Sequence, residues 1–92
     1  MEIFIAFGTH HLEVRSYVGG GTVSEMLKLG EALFQEGMRL AAAVGLPQPR
    51  EARVASTYLG VTLICEIEYR TAAQDQAIRQ FAKNQGWKIS RK

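Results

Sequence analysis

Residues 61–70, Val-Thr-Leu-Ile-Cys-Glu-Ile-Glu-Tyr-Arg, decide the fold. Val61, Leu63, Cys65, Ile67 and Tyr69 alternate with Thr62, Ile64, Glu66, Glu68 and Arg70, the period of a strand that buries one face and wets most of the other. Upstream, Ala52 onward is also rich in strand formers, and Leu59 with Gly60 stands between the two runs. That pair reads either as a hairpin turn or, at the glycine, as a bulge in one long strand. Near the N-terminus, Ile3 to Phe7 is β-favouring and Gly8 to His10 interrupt it. His11 to Val18 then alternates, with Leu12, Val14 and Ser16 on one side and Glu13, Arg15 and Tyr17 on the other. This is a second hairpin with one polar face.

Two helices separate these strands. Gly19, Gly20 and Gly21 end the first hairpin, and Thr22 with Glu25 has capping-box spacing, so a helix begins near Val23. Its apolar stripe runs through Val23, Met26, Leu27, Leu33, Phe34, Met38, Leu40, Ala41 and Val44. Gly30 and Gly37 lie on or beside the stripe, each costing about 1 kcal/mol against alanine, which predicts that the helix backbone approaches a sheet closely there. Gly45 supplies a left-handed stop with Leu46 as its apolar partner, and Pro47 prevents continuation. Thr71 with Gln74 opens a shorter helix whose apolar positions are Ala77, Ile78, Phe81 and Ala82, and Gly86 closes it. Trp87 and Ile89 alternate with Lys88 and Ser90 as a last short strand. The expectation is a single α+β domain over residues 1–92, order ββαββαβ, with a mainly antiparallel sheet and both helices on its apolar face.

Composition bounds the function. Ninety-two residues with 47% hydrophobic and 22% charged content suit one globular core. Cys65 is the single cysteine, so no internal disulfide forms and a thiol-only metal site is excluded. No apolar run reaches the ~20 residues of a membrane helix, and the opening residues lack a secretory pattern. A protein of the cytoplasm is expected.

Each candidate for chemistry has a simpler reading beside it. His10 and His11 are the only histidines, and as strand neighbours they point to opposite faces, which does not suit one metal ion. Cys65 lies in an inward row, where a thiol behaves as a small hydrophobe, whereas a nucleophile needs exposure and an activating base. Residues 19–25, GGGTVSE, place glycines before a helix N-terminus, a site suited to anions. The lysine of a phosphate loop is missing there and Glu25 would repel phosphate. Glu66 and Glu68 stand about 7 Å apart on the wet face, a spacing that serves a carboxylate pair or, more simply, solubility. Tyr17, Val18 and Gly19 match the second half of the GIY-YIG nuclease signature, but Ile3 to Phe7 supplies no first half. None of these residues is expected to be catalytic, and neither a metal nor another cofactor is expected.

Charge is distributed unevenly. From Gln76 to Lys92 there are five cations and no acid, while Met1 to Glu36 holds five glutamates against Arg15 and Lys28. Arg79 and Lys83 share a helix face, Lys88, Arg91 and Lys92 extend it, and Trp87 stands among them. These six form the candidate surface for phosphates or for acidic protein, with Trp87 available to stack on a base or fill a partner's pocket. Helix-dipole complementation, a solvated tail and a core tryptophan are the simpler alternatives.

In length, compactness and lack of a catalytic set, the chain as a whole resembles the small phage-encoded anti-CRISPR proteins that act on type I-F surveillance complexes. The resemblance implies a non-enzymatic inhibitor in the host cytoplasm. Such a protein occupies a surface of a CRISPR RNA-guided complex, contacts its protein subunits and its guide RNA, and blocks target DNA recognition. A general RNA- or DNA-binding module using the basic end is the alternative, and a small enzyme ranks third.

Overall fold

A computed structural model describes residues 1–19, 21–57, 60–69 and 71–90. Gly20, Tyr58, Leu59, Arg70, Arg91 and Lys92 lie outside the described residues. The elements run β1 (Phe4–Phe7), β2 (His11–Tyr17), α1 (Val23–Val44), β3 (Ala52–Thr57), β4 (Gly60–Glu68), α2 (Ala72–Gln85) and β5 (Lys88–Ile89). The protein is α+β, and its five strands form one sheet ordered β3-β4-β2-β1-β5. All pairings are antiparallel except β1 with β5. Thr57 pairs with Gly60, so a hairpin rather than a bulged single strand joins β3 to β4.

The registers sort the side chains into two rows. Leu12 lies opposite Phe7 and Ile67, Val14 opposite Ile5 and Cys65, and Ser16 opposite Leu63. This row, with Leu33, Leu40 and Ala41 of α1 and Ile78 and Ala82 of α2, makes one buried cluster. Each large aliphatic side chain within it is worth roughly 1.5–3 kcal/mol on burial. Ser16 is the polar member of the row and donates to the Glu2 carbonyl at 2.8 Å, which keeps its hydroxyl satisfied.

The helix ends follow the capping signals. The Thr22 hydroxyl accepts the Glu25 amide at 3.1 Å, and Thr71 and Gln74 bond reciprocally at 3.2 Å. Gly45 and Gly86 stop the helices at φ 79° and 75°, a region open to glycine at little cost. The amides of Gly45 and Leu46 both donate to the Ala41 carbonyl at 2.9 Å, and Leu46 folds back into the core. No helix among the described residues is long and apolar enough to cross a membrane.

The two interior glycines of α1 part company. A Cβ built on Gly37 would lie 2.5 Å from Cys65 Sγ, so here the helix backbone rests against β4. At Gly30 nothing lies within 4 Å, and the expected close approach is not made. The expected apolar stripe is likewise covered only in its second half: Leu33, Gly37, Leu40 and Ala41 are buried, whereas Val23 and Leu27 are 75% and 70% exposed. At ~1.5 Å per residue α1 is ~33 Å long, and its first turns border an open groove beside β3 rather than the closed core.

Gly37→Ala is expected to destabilise the protein by about 1–3 kcal/mol through overpacking, measured by urea unfolding. In a Cys65→Ala background, where only ordinary contacts at 3.6 Å would remain, the same change is expected to be neutral or stabilising.

Candidate functional site

The second row of side chains carries the charge. Register sets Glu13 opposite Glu66, His11 opposite Glu68, and Arg15 and Arg53 on either side of Ile64. Two carboxylates directly across a ladder repel, and Glu13 is compensated from both sides. Arg15 Nε donates to Glu13 Oε1 at 2.7 Å and its terminal nitrogen bonds the same oxygen, while Arg53 lies 3.4 Å from Oε2. Glu13 is buried although charged, and Ile64 is buried between the two arginines, whose aliphatic stems suit covering an apolar side chain.

The imidazole of His11 sits over Gly8, where any Cβ would collide with the ring. Its Nε2 is 3.6 Å from Glu66 Oε1 and 3.9 Å from Glu13 Oε2. Ligand atoms of His11, Glu13 and Glu66 all lie within 4.8 Å of one another, the one such cluster among the described residues. Tetrahedral zinc draws nitrogen and oxygen ligands to about 2.0–2.2 Å, and Glu13 already has two guanidiniums. The arrangement is that of an ion-pair network. His10 is exposed in the preceding turn and takes no part in it. Glu66 meets Glu13 across the ladder and His11, and Glu68 lies on the same row, as the strand period predicts.

Cys65 is fully buried on the apolar row, and desolvation pushes its thiol up to about 11. A thiol so protonated is a poor nucleophile.

Several members of the expected basic surface have local partners. Arg79 pairs with Asp75 at 3.0 Å and its guanidinium lies 4.4 Å from the centre of the Phe7 ring. Lys88 stands 3.6 Å from Glu2, and Trp87 is half-buried, edge-on to Phe81 at 5.3 Å. Lys83 is exposed in the last turn of α2, and Arg91 and Lys92 lie outside the described residues. Acids from distant sequence or the preceding helical turn meet two of the four described members, and aromatic packing holds a third.

A feature that sequence reading missed is a mostly apolar groove of about 530 Å³ between the first half of α1 and β3. Val23, Leu27, Phe34, Ala52, Val54 and Leu63 line it, and Glu31, Arg50 and Glu51 stand around them. The uncovered half of the α1 stripe was its only trace in the sequence.

The chain matches no protein-family model, no curated protein and no solved structure. What the fold and surfaces define is an α+β sheet protein with a charged, ion-paired row and a separate apolar groove.

Arg15→Ala is expected to cost about 1–3 kcal/mol by leaving a buried carboxylate opposite a second one, and adding Glu13→Gln to recover part of that loss in chemical unfolding. For Cys65 the unfolded thiol ionises from 9.0 while the folded one keeps its proton to about 11. Its stabilisation is thus complete below pH 9 and lost as pH rises toward 11, by about 2–3 kcal/mol. The difference between wild type and Cys65→Ala in urea titrations at pH 8 and pH 11 measures it.

Proposed function

We propose that this is a non-enzymatic binding protein that works by occupancy, using the charged face of the sheet to cover a surface of a larger assembly. Both helices pack on the apolar face, which leaves the row containing His11, Glu13, Arg15, Arg53, Glu66 and Glu68 for a partner. The observation that carries this reading is the ion-pair network itself. Glu13, Arg15 and Arg53 are fixed by mutual bonds on a sheet, so charges of both signs are held in place before any encounter. A fixed pattern of mixed sign favours a protein or nucleoprotein surface that is also mixed, and it penalises wrong partners through like-charge contact.

The narrower reading is an inhibitor that covers a type I-F CRISPR surveillance complex and blocks target DNA recognition, and it rests on whole-chain character. The alternative, a nucleic-acid module using the basic end, is supported by exposed Lys83. It is weakened by the commitment of Arg79 to Asp75 and the nearness of Lys88 to Glu2.

One double variant separates the two. Glu66→Lys with Glu68→Lys reverses two exposed charges on the sheet and sets a lysine opposite Glu13, so folding is expected to be retained. Target-DNA binding by the purified surveillance complex, measured with added protein, is expected to be inhibited by wild type and at least tenfold less by the variant. No inhibition by wild type removes the narrower reading, and unchanged inhibition by the variant removes the charged face as the contact surface. Tighter binding of the variant to short RNA or DNA, with a steep salt dependence, supports the alternative.

A further inference from the structure

The groove between α1 and β3 is remote in role from the charged row and calls for a different occupant. β3 is one edge of the sheet, six residues long, with sequence Ala-Arg-Val-Ala-Ser-Thr. Native edges are commonly protected by brevity, proline, bulges or inward charges. The opposite edge, β5, has two residues, one of them Lys88. β3 is longer and has a single charge, Arg53, which lies on the charged face, while Val54, on the groove side, is 55% exposed. Directly above it, Val23 and Leu27 are exposed on α1.

We infer that a second copy of this chain occupies the groove, with β3 pairing antiparallel to its counterpart about a two-fold axis through Val54 and the first halves of the two α1 helices packing across that axis. Three features select this occupant. The first is register. Centring the pair on Val54 sets the two valines opposite each other on the groove side, with Arg53 opposite Ala55 and Ala52 opposite Ser56 of the second copy. Centring on Arg53 would oppose two guanidiniums, and a slip of one residue would turn Val54 to the wrong face. The second is charge. Glu31, Arg50 and Glu51 give the groove both signs, and such a surface can be complementary to itself under a two-fold, whereas one of a single sign cannot. The third is extent. A lone extended peptide would satisfy the β3 edge and Val54, yet Val23 and Leu27 need apolar cover on the helical layer as well, and a second copy brings both a strand and a helix. The axis stands perpendicular to the sheet, so the charged faces of the two copies become coplanar in one ten-stranded sheet. The inference does not depend on what that face binds.

Sedimentation velocity over a range from low to several hundred micromolar is expected to show wild type at twice the chain mass of 10.2 kDa. Val54→Lys, which opposes two ammonium groups across the axis, is expected to sediment as a folded monomer with unchanged far-UV circular dichroism. Val54→Cys tests the register directly without relying on that variant's folding. Directly opposed strand residues lie about 4.5–5.5 Å apart, within disulfide range, and buried Cys65 does not compete. Mild oxidation with diamide is expected to give a covalent dimer through the two position-54 thiols. A wild type that stays monomeric throughout overturns the inference, and so does a dimer that Val54→Lys leaves intact or that Val54→Cys fails to cross-link. Inhibition by the charged face is read in a separate assay, so either idea can fail alone.

Discussion

The backbone of α1 rests on β4 because residue 37 has no side chain. With Cys65 Sγ where a Cβ would need to be, the helix is held at a distance that only glycine permits, and the rest of the core is built around that contact. Leu33, Leu40 and Ala41 flank it along one stripe, and Leu63 and Ile67 flank Cys65 along the strand. A thiol suits the place, being small, apolar when protonated and deformable. The same contact explains why Cys65 is chemically quiet: the burial that lets the helix settle also withholds water from the sulfur.

Setting the helix by its second half has a consequence at its first. A helix ~33 Å long, anchored around Leu33 to Ala41, carries Val23 and Leu27 to the border of β3 instead of into the closed core. Edge strand and helix then present adjacent apolar surface, and burial of that surface is the available driving force for association. On the other row, polarity is handled differently. Opposed Glu13 and Glu66 would destabilise the ladder, and the arginines flanking Ile64 offset that cost while their stems cover the isoleucine. One sheet therefore has an apolar side that packs and a charged side ordered by its own ion pairs.

Chemistry and surface thus divide the molecule. The cysteine is enclosed, His10 is exposed in a turn, and His11 is set between Glu66 and a Glu13 that already has two arginine partners. Two of the described cations at the C-terminal end have local tasks: Arg79 binds Asp75 and covers Phe7, while Lys88 approaches Glu2. Among the described residues, the surfaces that stand out are a sheet face with ion-paired charges and the β3 edge with exposed apolar neighbours.

Much of the architecture was legible in local pattern because its determinants are local. Alternation over 61–70, the threonine caps at 22 and 71 and the glycine stops at 45 and 86 depend on residues within a few positions, so element order and both helix boundaries followed from the sequence alone. The α+β class followed from that order. Tertiary structure decided the rest, since it rests on pairs far apart in the chain. The β2–β4 register brings Glu13 to Glu66, the β3–β4 register brings Arg53 toward Glu13, and neither pairing has a signature in either segment. Periodicity marked Val23 and Leu27 as apolar stripe but not whether anything covers them. Gly30 and Gly37 look alike in sequence, yet only the one above Cys65 meets the sheet, because the placement of a helix on a sheet is set by the fit of whole surfaces.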